Sequence, residues 1–141
     1  MATNVREMLI REEGSIPYAY KDSLGYLTIG VGRLIDKAKG GGLSDDEISY
    51  LLDNDIKRIR YELAVQLPWV DQLDEPRLAV LIGMAFQMGM DGLLKFVNTL
   101  ACVRYGHYED AANGMQASLW AKQTPERAAR MAAQMRFGEW K

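Results

Sequence analysis

The sequence has one cysteine and one histidine among its 141 residues. Cys102 has no second cysteine with which to form an internal disulfide, and it lies apart from His107 in a run of apolar residues. A small buried apolar side chain is therefore a better interpretation of Cys102 than a nucleophile. Zinc sites draw on several cysteine and histidine ligands, so we expect no metal site.

A basic excess is also missing. Lys and Arg number 17 against 19 Asp and Glu, which gives a net charge of −2. Nucleic-acid-binding domains usually carry a clear basic excess, so we expect no nucleic acid partner. The N-terminal segment lacks the apolar core of a secretory leader, and no stretch approaches the roughly 18 consecutive apolar residues of a membrane span. These absences predict synthesis in the cytoplasm and no stable membrane association.

Glycine is plentiful, but its spacing does not match a phosphate-binding loop. Gly40–Gly42 is not followed by the Lys and Ser/Thr that such a loop needs, so a flexible connector is the better interpretation. Gly30 and Gly32 form G-x-G without the third glycine of a dinucleotide fingerprint. We expect no organic cofactor.

The first third of the chain predicts one helix followed by short strands. Asn4 is a suitable N-cap, the apolar spacing that follows it has a helical period, and Gly14 ends the pattern, so a helix is predicted over 4–13. Short β-prone segments separated by turn residues predict an antiparallel hairpin or meander over 17–35. A loop follows over 36–47.

The rest of the chain predicts helices. Ser44 and Glu47 form a capping box that opens a helix over 45–66. Its expected inner stripe is Ile48, Leu51, Leu52, Asp55, Ile56, Ile59 and Leu63. The segment 76–90 is apolar almost all round, which is typical of a helix buried in a bundle. Residues 91–141 predict several short helices, one of them capped by Thr124. The predicted class is α+β, mainly α.

Three polar residues around the hairpin could carry chemistry. Glu13 ends the first helix, Asp22 lies in the turn region and Thr28 lies on the following strand. Two carboxyl groups across a cleft suit glycoside hydrolysis, because one donates a proton to the leaving oxygen and the other acts on water. A hydroxyl can hold that water. The chain has 19 acids, however, so many pairs would fit, and taken alone a solvated helix end is the better interpretation of Glu13 and a turn aspartate the better interpretation of Asp22.

The wider pattern distinguishes these alternatives. The spacing Glu-x8-Asp-x5-Thr in "EGSIPYAYKDSLGYLT" and the segments "YLTIGVGRLI", "FQMGMDGLLKFVNTL" and "SLWAKQTPERAARM" resemble the T4-type phage lysozymes, the endolysins of glycoside hydrolase family 24. The resemblance covers nearly the whole chain in order. It implies a single two-lobed lysozyme domain over 1–141, with a small antiparallel β lobe at 15–43 and a larger helical lobe from 1–14 and 44–141.

The resemblance also implies an activity. It implies a muramidase that hydrolyses, with inversion, the β-1,4 bond between N-acetylmuramic acid and N-acetylglucosamine in peptidoglycan. Glu13 matches the general acid, Asp22 the second carboxylate and Thr28 the hydroxyl that positions water. Two alternatives remain open. One is a lytic transglycosylase, which forms an anhydro-sugar without water, and the other is a catalytically silent peptidoglycan-binding protein.

Further positions match family residues outside the catalytic three. Arg127 matches an arginine that pairs with the catalytic glutamate, and this pairing is favoured over the alternative of a surface helix arginine. Gln87 and Trp120 match residues that close the rear of the cleft. Four positions match residues that contact sugars, although a core role for Phe86 is a strong alternative: Leu34, Phe86, Thr99 and Asn113.

The sequence departs from the family in two places. Arg33 follows Gly32 where the family has a histidine that pairs with an aspartate, so an Arg33–Asp55 ion pair is the expected replacement. The β lobe is shortened at "KGGGLSDDE", which predicts a more open groove. As an endolysin, the chain would be made in the host cytoplasm, be released by a holin and act as a monomer on peptidoglycan in the periplasm.

Overall fold

The computed structural model describes all 141 residues. It contains a three-stranded sheet, two short 3₁₀ turns and seven α-helices. The strands are β1 (Ile16–Lys21), β2 (Leu27–Gly30) and β3 (Arg33–Leu34). The helices are α1 (Val5–Glu13), α2 (Asp45–Gln66), α3 (Glu75–Leu94), α4 (Val97–Arg104), α5 (Tyr108–Gln116), α6 (Leu119–Gln123) and α7 (Pro125–Phe137). The predicted α+β, mainly α, class is confirmed.

Contacts within the chain define two compact units, Met1–Leu51 and Leu52–Lys141. The first unit holds α1, the sheet and the beginning of α2, and the second holds the remaining helices. The expected grouping of residues 1–14 with the helical lobe stays a prediction.

The first unit is built from local signals. The side chain of Asn4 accepts a hydrogen bond from the Glu7 amide at 2.9 Å, and Gly14 ends α1 with a φ of +79°. The three strands pair antiparallel in the order β1-β2-β3, with Thr28 opposite both Tyr20 and Leu34. The helix predicted over 4–13 and the meander predicted over 17–35 are confirmed. Thr28 therefore lies on the central strand.

The capping box predicted for α2 is also present. The Ser44 hydroxyl accepts from the Glu47 amide at 3.2 Å, and the Glu47 carboxylate accepts from the Ser44 amide at 2.9 Å. The predicted inner stripe is only partly correct, because Ile59 and Leu63 are buried whereas its first three members, Ile48, Leu51 and Leu52, are exposed. A helical period identifies side chains that share a face, but not how much of that face another element covers.

The core of the second unit centres on α3, which contributes Val80, Leu81, Ile82, Met84, Ala85 and Leu93. The prediction that α3 is buried all round is wrong for its second half, because Phe86 and Gln87 are exposed. The helix continues to Leu94 across a non-helical Gly89, with φ 80° and ψ 164°. α3 has the length and hydropathy of one membrane-spanning helix, but a core helix of a soluble protein passes the same test.

Candidate active site

Asp22 is held by the turn between β1 and β2. Its Oδ1 accepts hydrogen bonds from the backbone amides of Leu24 and Tyr26, each at 2.9 Å. This is the turn chemistry expected of an aspartate at this position. The second carboxylate oxygen, Oδ2, accepts no hydrogen bond from the protein and is available to a water molecule or a substrate hydroxyl.

Thr28 is tied to the same turn through Tyr26. Its hydroxyl donates to the Tyr26 carbonyl at 3.0 Å, and that carbonyl also accepts from the Asp22 amide at 2.9 Å. Thr28 is one of two polar residues that are buried, with 4% of its surface exposed. Because its proton is already committed, the hydroxyl oxygen is left as an acceptor. The backbone of Tyr26 therefore orients both Asp22 and Thr28.

Glu13 is the last residue of α1, and its side chain is exposed. It takes part in none of the side-chain hydrogen bonds or ion pairs within the first unit, and its carboxyl end lies against the backbone of Gly32. A Cβ built on Gly32 would be 2.9 Å from Glu13 Oε2. All three predicted catalytic residues lie in the first unit: Glu13, Asp22 and Thr28.

The expected partner of Arg33 is corrected by the structure. Arg33 pairs with Glu47, the residue that also caps α2, and Asp55 pairs with Arg58 at 2.9 Å. The Arg33 guanidinium extends from β3 toward the beginning of α2, which brings it to Glu47. It also donates to the carbonyl of Gly42, in the loop before α2, at 3.4 Å. The hydrogen bond from Arg33, with further hydrogen bonds from Ser44, lowers the pKa of Glu47 to about 2.

The residues expected at the rear of the cleft are in contact. Trp120 donates its indole N–H to Gln87 Oε1 at 2.9 Å, and its ring meets Phe96 edge-on at 6.3 Å. Trp120 is buried, whereas Gln87 is exposed. Both line a groove of about 630 Å³ in the second unit, together with Lys95, Phe96 and Leu119.

The four expected sugar-contacting residues occupy separate places. Leu34 is half-buried on β3, in the first unit. Phe86 is half exposed, so the core alternative does not hold, and it lines a groove of about 300 Å³ with Asp55, Arg58 and Glu62. Their contacts with sugars stay predictions.

Thr99 and Asn113 lie on different surfaces. Thr99 is buried on α4 and lines a groove of about 270 Å³ that Gly114 also lines. Asn113 instead accepts a hydrogen bond from Arg136 at 3.0 Å. The helical residue brought to Thr99 is Gly114, one position beyond Asn113.

Arg127 lies in the first turn of α7, where it is exposed and lines a shallow groove with Thr124 and Arg130. It forms none of the ion pairs within the second unit. Thr124 is the N-cap residue of α7 and Pro125 lies in its first turn, as predicted. The Thr124 hydroxyl makes no capping hydrogen bond, however, because it donates to the Trp120 carbonyl at 3.0 Å. The pairing of Arg127 with Glu13 stays a prediction.

Sequence reasoning missed the contributions of Tyr26, Gly32 and Gly114. Tyr26 acts through its backbone, so its side chain gave no signal. Gly32 was visible in a G-x-G pair. Gly114 lies in "ANGMQ", which predicted a break between short helices, whereas α5 continues through it to Gln116. A glycine within a helix often marks a close approach of neighbouring groups.

Comparison with known proteins supports one assignment. The phage lysozyme family model matches residues 10–135. The chain is 27% identical to probable T4-type lysozyme 1 of Dictyostelium discoideum over 98% of this chain and 96% of that protein. It is 29% identical to the pre-baseplate central spike protein Gp5 of Enterobacteria phage T4, over 91% of this chain and 27% of Gp5. It is 30% identical to the peptidoglycan hydrolase gp36 of Pseudomonas phage phiKMV, over 89% of this chain and 14% of gp36. The chain therefore belongs to the phage lysozyme family, a family of glycoside hydrolases.

Proposed function

We propose that this glycoside hydrolase is a muramidase that cleaves the β-1,4 bond between N-acetylmuramic acid and N-acetylglucosamine in bacterial peptidoglycan. A peptidoglycan substrate is in keeping with the relative named as a peptidoglycan hydrolase and with the lysozyme family. The observation that carries the proposed mechanism is the common anchoring of Asp22 and Thr28 to the backbone of Tyr26.

The anchoring suits the activation of water. Asp22 keeps one carboxylate oxygen free, and Thr28 keeps its oxygen lone pairs free because its proton is donated to the Tyr26 carbonyl. A water that donates one hydrogen to each would be oriented toward the sugar, and Asp22 would take its proton as the bond forms. Attack from the side opposite the leaving group inverts the anomeric centre.

Glu13 is proposed as the general acid. It would donate its proton to the glycosidic oxygen as that bond breaks, so that the leaving sugar departs as a neutral hydroxyl. The carboxyl group is exposed, and no other side chain of the first unit engages it, so it is accessible to a polymeric substrate. We also propose that Arg127 engages Glu13, that the protein acts on the cell wall as a monomer, and that a holin releases it to the periplasm.

The test is mass analysis of fragments released from purified Gram-negative peptidoglycan. Reducing N-acetylmuramic acid ends support the proposal, and NMR of the new anomeric proton distinguishes inversion from retention. Anhydro ends identify a lytic transglycosylase and remove Asp22 and Thr28 from the reaction. Binding without fragments from the folded protein identifies a silent binding protein.

Matched variants connect the activity to residues. We expect Glu13→Gln to abolish fragment release, whereas Glu12→Gln changes an exposed carboxylate one position away and retains it. Asp22→Asn is expected to lower kcat by at least about 100-fold, because general base catalysis contributes on this scale. Activity of Glu13→Gln equal to that of Glu12→Gln would contradict the assignment of the acid.

A further inference from the structure

Two glycines that the proposed mechanism does not use lie where β2 passes into β3: Gly30 is the last residue of β2, and Gly32 lies in the turn. Gly30, Val31 and Gly32 connect the paired residues Ile29 and Arg33. Gly30 has a φ of +68° and Gly32 a φ of +63°, so both have a left-handed backbone that disfavours a side chain. Backbone conformation therefore accounts for both glycines equally.

The surroundings of the two glycines differ. A Cβ added at Gly30 would meet nothing within 4 Å. A Cβ added at Gly32 would lie 2.9 Å from Glu13 Oε2 and 3.1 Å from both Cδ and Cγ. The contact thus involves the whole carboxyl end of Glu13. Gly30 makes no such contact, and instead pairs with Ile16 across the β1–β2 ladder.

The group that would yield is Glu13. The backbone at Gly32 is fixed on its C-terminal side, because Arg33 pairs with Ile29 across the hairpin and its guanidinium pairs with Glu47. The Glu13 side chain is exposed, and no hydrogen bond or ion pair within the first unit holds it in place. Displacing the end of such a side chain costs little stability.

We infer that Gly32 is a positioning residue for Glu13, because its missing side chain leaves the space that the carboxyl group occupies. The inference rests on the proposed role of Glu13 as general acid. A proton donor must lie within hydrogen-bond reach of the leaving oxygen, and a shift of about 1 Å can lower a rate by about 100-fold. A side chain at position 32 therefore acts on turnover through Glu13.

The test compares Gly32→Ala with Gly30→Ala. Both variants place a methyl group on a left-handed backbone, so we expect them to lower the melting temperature by similar amounts. Only Gly32→Ala is expected to lower kcat, by about 100-fold, with KM for soluble glycan strands changed less than about threefold. Gly30→Ala is expected to keep kcat within about threefold of the parent. Assays are made well below both melting temperatures.

A second pair keeps the test decisive if the alanine variants do not fold. Asparagine tolerates the left-handed region better than other residues with a Cβ, so Gly32→Asn and Gly30→Asn repeat the comparison with less strain. Equal kcat values for the position-32 and position-30 variants would overturn the inference while Glu13→Gln stays inactive. An active Glu13→Gln in the same assay would instead overturn the proposed function.

Discussion

The guanidinium carbon of Arg77 lies 3.6 Å from the centroid of the Tyr108 ring. From this position Arg77 donates to the backbone carbonyls of Met135 at 2.7 Å and Arg136 at 3.0 Å, the last turn of α7. These carbonyls have no partner within the helix, so Arg77 caps the C-terminus of α7 from α3. Gly138 allows this approach, because a Cβ there would lie 2.8 Å from the Arg77 guanidinium.

We predict that Arg77→Ala lowers the free energy of unfolding by about 2–4 kcal/mol, because it removes two charge-assisted hydrogen bonds and the stacking on Tyr108. The measurement is urea denaturation followed by circular dichroism. Arg58→Ala is the control, since it breaks an exposed ion pair on α2 and is expected to cost less than about 1 kcal/mol. Equal losses in the two variants would contradict the capping role.

The pairing of Glu47 with Arg33 predicts a specific loss of stability in acid. The pKa of Glu47 is lowered from 4.5 to about 2, first by the Arg33 hydrogen bond and then by Ser44. A lowered folded-state pKa means that the carboxylate stabilises the fold above pH 4.5 and that this contribution is lost as the pH falls toward 2.

Thermal melts between pH 6 and pH 2 test this. Glu47→Gln is expected to melt below the parent at pH 6, and the difference should shrink as the pH falls through that range. Asp53→Asn, an exposed change on the same helix, is expected to follow the parent at every pH. A difference in melting temperature between Glu47→Gln and the parent that stays constant from pH 6 to pH 2 would argue against the pairing.

The close approach of Gly114 and Thr99 predicts that the effect of Gly114→Ala on stability changes sign with the residue at position 99. A Cβ at Gly114 would lie 2.6 Å from the Thr99 hydroxyl oxygen, which belongs to a buried residue. Gly114→Ala should therefore destabilise the protein, although alanine is favoured over glycine within a helix by about 1 kcal/mol. In a Thr99→Ala background the same change should stabilise it.

The double-mutant cycle measures this coupling directly. We expect an interaction energy of about 1–3 kcal/mol from chemical denaturation of the parent, both single variants and the double variant. Additive effects of the two substitutions would show that the methyl group at position 114 and the Thr99 hydroxyl do not interfere with each other.

Leu63 and Leu51 share the predicted inner stripe of α2, but their exposure is 0% and 48%. Leu63→Ala removes packed methyl groups and is expected to cost about 2–5 kcal/mol. Leu51→Ala is expected to cost less than about 1 kcal/mol, because little surface returns to water. Chemical denaturation of both variants tests whether only the later part of the stripe is buried. Similar losses in the free energy of unfolding would show that the stripe is covered along its whole length.

The features that the sequence predicted well depend on residues that are close together in the sequence. The Asn4 cap and the Ser44–Glu47 box each join residues three positions apart, so spacing alone determines them. The partner of Arg33 could not be predicted in this way. Two acids, Glu47 and Asp55, lie on the same helix, and the choice depends on where the hairpin ends in space.

In the candidate site too, some features could be predicted from the sequence and others depend on packing in three dimensions. The residue types and order of Glu13, Asp22 and Thr28 are visible in the sequence through the family resemblance. The family resemblance selects Asn113 on α5, whereas the packing against Thr99 is made by the next residue, Gly114. One residue of helix advances the side chain by about 100°, so a small alignment error selects a different surface.

The turn at Tyr26 has a consequence for mutational tolerance. Its amide and carbonyl hold Asp22 and Thr28, and every amino acid except proline possesses both groups. Any substitution at this position other than proline therefore keeps the backbone groups that hold Asp22 and Thr28. Among single substitutions at position 26, proline is the one expected to release Asp22, because it alone removes the amide that donates to the carboxylate.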